Sequence, residues 1–290
     1  GRLGELMGSY LTFLDDHYSP DEVISKIRTF PVPDSDPKAL SAWLQIAEIE
    51  KLERLGEVAD RSEIDTKYRT LATILDIEET PNYPLVKVAR WEVANGQEDR
   101  AKKKYEFILE ERADGAHVEM AMFDLANMLA TSPSVEDRDR AVSLFRSVRE
   151  QFEIPDLQEA SVLGGGRILI QKGEYGEAMR WWRDYLSHGN WLASRPEANF
   201  SFGRCLEETG KPKEALKIYA SVYALFPGQL DWSTQAYLRA AKILKADGRD
   251  GDALLVLVDM LKRLGHLEHP GVDEGREFFT RWKQEWIAAQ

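Results

Sequence analysis

Four short stretches carry residue types that could do chemistry. LGGGR, residues 163–167, has the glycines and the cation of a phosphate-cradling loop, but such loops follow a strand and open a helix. Here the glycines sit in a run with helical spacing, where each costs about 1 kcal/mol relative to alanine. Close helix contact is the better reading, with a kink or a ligand approach as the alternative. GHLEHP gathers His266, Glu268 and His269. Two histidines without further ligands from elsewhere make a poor metal site, so a polar inter-helix loop is expected. Cys205, the single cysteine, has no histidine beside it in sequence to activate it and reads as a small core residue. LDDHY, residues 14–18, offers two acids at the close of a short N-terminal helix, which reads as a solvated helix end. No catalytic residue, metal site or cofactor is assigned.

The totals exclude several classes. The 290 residues carry a net charge of -12, which argues against broad nucleic-acid binding because phosphates demand a basic field. The longest aliphatic run, ALLVLV at 253–258, is far short of the roughly 20 residues that span a bilayer, so no membrane insertion is expected. The opening GRLGELMGSY lacks the pattern of a secretory signal. Since the chain starts at glycine, this leaves cytosol and bacterial periplasm both open. One cysteine rules out an internal disulfide framework.

The elements that would position any site repeat. In EANFSFGRCLEETGKPKEALKIYASVYALFP, 197–227, a small residue (Gly203), a turn glycine (Gly210), an alanine (Ala215) and a large residue four later (Tyr219) define a helical hairpin. The skeleton recurs as Gly166, Gly173, Ala178 and Trp182, as Ala241, Gly248, Ala253 and Leu257, and as Ala89, Gly96, Ala101 and Tyr105. A further copy, with Ala126, Ala141 and Phe145, has a longer turn and no turn glycine. The second-helix alanines fall at intervals of 40, 37, 37 and 38 residues. Small residues let paired helices approach, the following large residue fills the gap beside them, and the turn glycine supplies a left-handed conformation.

This pattern resembles the tetratricopeptide repeat, whose signature is W-x2-L-G-x2-Y, then A-x3-F, then P. The matching residues are Phe202, Gly203, Leu206, Ala215, Tyr219 and Pro227, with Asn199 in place of the tryptophan. The period of about 37 exceeds the family's usual 34 and is similar to that of bacterial envelope and assembly members. The resemblance covers residues 82–265 and implies an all-α fold, a right-handed superhelical solenoid of antiparallel helix pairs. The organisation expected is an N-terminal hairpin and Pro-rich connector (1–37, with PVPDSDP at 31–37), a degenerate repeat (38–80), five repeats (81–270) and a capping helix (271–290). That last helix, carrying Phe279, Trp282 and Trp286 on one face, covers the final open core; a partner-binding amphipathic helix is the competing reading. Trp182 takes a core position, and Trp181 packs or forms an exposed patch with Tyr175.

In the family, first helices line a concave groove. With each second-helix alanine set as position 20, and longer turns discounted, position 5 reads Val86, Phe123, Leu163, Phe200 and Leu238. Position 9, one turn later, reads Arg90, Asn127, Arg167, Arg204 and Lys242. These ten are the candidate partner-binding residues: an apolar row beside a basic row, suited to a protein or peptide segment with acidic and apolar groups. The competing reading pairs each cation with an acid of a neighbouring unit, such as Glu207, Glu208 or Glu177. The function expected is a non-catalytic protein–protein interaction scaffold or adaptor. The alternatives are an enzyme acting on a polymer from an α-helical superhelix or toroid, and a self-associating structural unit.

Overall fold

The computed structural model describes residues 2–32, 37–55 and 61–289, with side chains from Glu5 onward except Pro37. The described residues hold fifteen α-helices and no strand. In chain order they are α1 (Arg2–His17), α2 (Pro20–Arg28), α3 (Pro37–Arg54), α4 (Arg61–Ile74), α5 (Asn82–Ala94), α6 (Glu98–Glu111), α7 (Val118–Ala130), α8 (Val135–Gln151), α9 (Pro155–Gln171), α10 (Tyr175–Ser187), α11 (Arg195–Glu208), α12 (Pro212–Leu225), α13 (Leu230–Ala246), α14 (Asp250–Leu264) and α15 (Pro270–Ala288). By packing the chain divides into two compact units, 1–144 and 145–290, with the division inside α8.

In the first unit α1 and α2 form a hairpin. Pro20 opens α2, and the Glu22 carboxylate reaches back to accept the Ser19 N–H at 3.0 Å, closing the helix start as a capping box does. That bonding to Ser19 holds the Glu22 carboxyl below its ordinary value. Met7, Leu14, Val23 and Ile27 pack with Leu40, Trp43, Leu44 and Ala47 of α3. A second cluster joins Ile46 and Ile49 of α3 to Tyr68 and Leu71 of α4 and Val88 of α5. The first helices α1, α3, α5 and α7 touch in succession, and each second helix packs beside them. Residues 33–36 of the Pro-rich connector, residues 56–60 and the Leu3 side chain lie outside what is described.

The second unit repeats the scheme with α9 and α10, α11 and α12, and α13 and α14, and ends in α15. Residues Tyr237, Leu238, Leu244, Leu254, Leu257, Met260, Val272 and Trp282 form one core, so α15 buries Trp282 against the last hairpin. Its outer residues, including Arg276, Glu277, Thr280 and Lys283, are exposed, and so is Trp286, which the sequence pattern grouped with Trp282.

The turn glycines share one geometry. Gly96, Gly173, Gly210 and Gly248 all have φ between 72° and 78°. After each, the next N–H donates to the carbonyl five residues back: Gln97 to Glu92, Glu174 to Leu169, Lys211 to Leu206 and Arg249 to Leu244, at 2.8–2.9 Å. This is the long bond of a Schellman ending, which needs a residue at ease with positive φ.

Inside the hairpins, glycine makes room for rings. α9 runs unbroken through Gly164, Gly165 and Gly166. A Cβ on Gly165 would lie 2.3 Å from the Trp181 ring, and one on Gly166 would lie 2.8 Å from the Trp182 ring. Gly203 stands in the same relation to Tyr219, at 2.8 Å. Trp181 and Trp182 are thus both core residues. The LGGGR stretch is a packing surface, with no strand before it.

A candidate partner-binding face

The first helices carry the ten candidate residues, and the structure separates the two rows. Position 5 lies mainly inside. Val86 is fully buried, Phe200 and Leu238 are each 4 % exposed, and Phe123 and Leu163 are half-buried. Phe200 packs against the Tyr219 ring at 5.7 Å and the Trp232 ring at 5.5 Å between centroids. An apolar row open to a partner is therefore not what these side chains form at Val86 and Phe200. Phe200 packs within its own hairpin and against α13, and Val86 is enclosed in the same way from solvent.

Position 9 is at the surface. Arg90, Asn127, Arg167 and Lys242 are exposed and Arg204 is partly so. Three of the four cations reach the next first helix. Arg90 of α5 holds Asp124 of α7 with Nε–Oδ2 at 2.5 Å and Nη2–Oδ1 at 3.2 Å. Arg167 of α9 holds Glu197 of α11 with both carboxylate oxygens, at 2.5 and 2.6 Å. Lys242 of α13 meets Glu274 of α15 at 3.2 Å. Two-pronged arginine–carboxylate pairing is the stronger, more directional form. The Glu197 carboxylate holds the Arg167 guanidinium above its ordinary value, whereas burial pushes the Asp124 carboxyl up although Arg90 pulls it down. Asn127 donates to the Phe123 carbonyl within α7.

The acids named from sequence as partners for these cations serve elsewhere. Glu177 pairs with Arg146 at 2.6 Å, and Glu207 accepts from Arg239 at 2.9 Å and from the Tyr219 hydroxyl at 2.7 Å. Glu208 lies 3.8 Å from Arg239. Sequence reasoning missed Asp124, Glu197 and Glu274. The signal was present, since each stands 30 to 34 residues after its cation, close to one repeat.

Arg204 is the exception. Its guanidinium sits over the Tyr175 ring at 5.9 Å, and its Nε is buried without a hydrogen-bond partner. Elsewhere in the second unit a cavity of about 560 Å³ opens between α13 and the start of α15. Leu238, Gln235, Arg239, Lys242, His269 and Glu274 line it. His269 is fixed there as the N-cap of α15: its Nδ1 accepts the Gly271 N–H at 3.1 Å, which leaves Nε2–H to donate to Asp231 at 3.0 Å. With that role His269 is spoken for, and no group of three or more His, Cys, Asp or Glu among the described residues could hold a metal ion.

The other reactive candidates are structural. Cys205 is fully buried, and burial pushes its thiol up to about 12, the opposite of an activated nucleophile. Asp15 pairs with Lys51 of α3, and the His17 ring bonds the Phe13 carbonyl one turn back. No helix among the described residues is long and apolar enough to cross a membrane.

No protein-family model and no curated protein matches the sequence. Solved structures do. The C-terminal part of a TPR repeat-containing protein from Cytophaga hutchinsonii superposes with a TM-score of 0.64 at 12% identity, over 91% of this chain and 98% of that one. The apo form of RapI gives 0.61 at 14% identity, over 93% and 78%. YrrB, described as a TPR protein with an unusual peptide-binding site, gives 0.50 at 20% identity, over 67% and 91%. At these identities the likeness establishes the fold: all-α and tetratricopeptide-repeat-like.

Proposed function

With a tetratricopeptide-repeat-like fold as the premise, we propose that this chain is a non-catalytic interaction scaffold that holds a segment of a partner protein on its first-helix face. The cavity between α13 and α15 is the observation that carries this reading. Its volume of about 560 Å³ lies in the range of ligand pockets, and an apolar floor with a few polar groups is their usual lining. Leu238 supplies an apolar patch in a largely polar lining, where Arg239 and Lys242 supply cations and Asp231 and Glu274 supply acids. Such a wall suits a segment that presents an acidic residue next to an apolar one. A relative in fold, YrrB, has a peptide-binding site by its description, which lends the reading general support.

The test is site-specific photo-crosslinking in the native cell extract. A photoreactive residue replaces Gln235 in the cavity or, as control, Arg180 on the second-helix side of α10. A discrete adduct from the first position only, lost with Lys242→Glu, is expected. Equal adducts from both positions, or an adduct indifferent to Lys242→Glu, would sink the reading.

A second reading is self-association, favoured by apolar side chains left open: Leu6 and Phe13 on α1, and Leu255 on α14, are 50–66 % exposed. Sedimentation over a wide concentration range tests it. A constant monomer mass rejects it.

A further inference from the structure

A second cavity, of about 470 Å³, opens between the hairpin of α11 and α12 and that of α13 and α14, at the edge where their turns lie. Pro212 and Leu216 from the start of α12 and Ile243, Leu244 and Ala246 from the end of α13 form its apolar wall. Lys213, Lys242 and Arg249 bring cations to it, and Glu207 and Asp247 bring acids. Apart from Glu207, these are positions 17, 18 and 21 of one hairpin facing positions 9 to 16 of the next.

The same places meet at two other junctions, with different contents. Between α6 and α7, Glu98, Asp99 and Lys102 face Met128, Leu129 and Asp137 across about 270 Å³. There the slot is smaller and its rim is mainly acidic. Between α10 and α11, position 17 is Tyr175, whose ring reaches across the junction beneath the guanidinium of Arg204, the position-9 residue, at 5.9 Å. On α12 and α13 those two places hold Pro212 and Lys242. One junction therefore carries an aromatic ring under a cation, and the next keeps the cation and leaves the place of the ring open.

We propose that this slot binds a small aromatic acid, its ring against Leu216 and Ile243 and its anionic group at Lys213. Lys242 is paired with Glu274 and Arg249 with Asp252, whereas Lys213 makes no ion pair with any described residue. Glu207 is already taken up by Arg239 and the Tyr219 hydroxyl, and Asp247 stands at the C-cap of α13, at the turn end of the slot. A ring beneath Lys242 gains the same kind of cation–ring attraction that Tyr175 has with Arg204. Along α13 the wall runs from Lys242 to Asp247, about 8 Å at a rise of about 1.5 Å per residue. That length holds one ring with a short side chain and is too short to seat a helix of a partner. Lys242 is the residue common to this slot and the cavity beside α15, so variants at Lys213 and Pro212 test the slot and leave the scaffold reading untouched.

The experiment follows side-chain methyl resonances of the whole chain by NMR. The Ile243 signal is identified by its loss in Ile243→Val, and the Met128 signal, in the acidic slot, by its loss in Met128→Leu. The probes are phenylacetate, its neutral twin phenylacetamide, and phenethylamine. Phenylacetate should shift the Ile243 methyl saturably, phenylacetamide more weakly and phenethylamine least, with Met128 unmoved by phenylacetate. Lys213→Glu should weaken phenylacetate roughly tenfold and remove its advantage over phenylacetamide. Pro212→Tyr should supply the ring from within: the Ile243 methyl moves without probe, and the response to phenylacetate is lost. Equal responses to phenylacetate and phenethylamine, equal shifts at Ile243 and Met128, or indifference to Lys213→Glu would overturn the site. Tighter binding of the blocked dipeptide N-acetyl-Phe-Asp-amide than of phenylacetate would overturn the small-molecule assignment and give the slot to a side chain of a partner.

Discussion

Replacing Gly166 with alanine sets two effects against each other. Helix propensity alone favours the change by about 1 kcal/mol, because alanine restricts the unfolded chain more and suits a helix interior. The structure opposes it. The new Cβ would lie 2.8 Å from two atoms of the Trp182 indole, where carbon atoms ordinarily rest about 3.5–4.0 Å apart. Trp182 is fully buried, so the ring can yield only by moving its neighbours, and overpacking of this kind costs roughly 1–3 kcal/mol. The clash should offset the propensity gain or exceed it, leaving a net loss of about 0–2 kcal/mol from these two ranges. Gly176→Ala is the matched control: it lies in the first turn of α10, and nothing sits within 4 Å of its added Cβ. That variant should be neutral or gain up to about 1 kcal/mol. Urea unfolding followed by circular dichroism and by tryptophan fluorescence reads both, with midpoints compared only where the slopes agree. A Gly166→Ala variant as stable as Gly176→Ala would refute the close-packing account of the glycine run.

Three further outcomes can be checked. Lys104 and Glu92 form a pair between α6 and α5 at 2.7 and 2.8 Å, with Glu92 fully buried. Lys104→Met leaves that carboxylate only Arg100, at 3.9 Å, and should cost up to about 3–5 kcal/mol in urea unfolding, whereas joint replacement by Lys104→Met and Glu92→Leu should recover most of the loss. Burial raises the phenols of Tyr68, Tyr105, Tyr219 and Tyr237 well above the ordinary tyrosine value, and Tyr185 to about 12. Their neutral forms contribute stability that is whole below the unfolded value of about 10 and lost as pH climbs through the folded values. Phenolate absorbance should therefore rise together with loss of helix above about pH 10; a full rise with the helix intact would contradict the burial. Finally, Cys205 should resist a thiol reagent in the native chain and react only at the rate of unfolding, measured against denaturant.

The hairpins were legible because their residue types answer local demands: Gly210 where the backbone needs positive φ, Gly203 where Tyr219 needs room. The rows at positions 5 and 9 were legible as rows. Which of them meets solvent was not. Phe200 and Arg204 sit one turn apart on the same helix face, and a period of 3.6 cannot tell a neighbouring helix from solvent. The acids that pair with the position-9 cations escaped for a related reason. Glu197 lies 30 residues from Arg167, and only the stacking of one hairpin on the next brings them together. His269 shows the limit on single residues. Its role as N-cap with Asp231 as its second partner depends on α15 folding back beside α13, which no local pattern announces.

The fit of Gly166 to Trp182 and of Gly203 to Tyr219 joins a hollow on one helix to a ring on the helix that follows it. Neither half is of use to a different partner. What can be copied, exchanged or grafted in such a chain is therefore the hairpin as a whole. A crossover placed at Gly173 or Gly210, inside the turn, would part hollow from ring, while one placed between hairpins, near Pro155 or Arg195, would carry both across together.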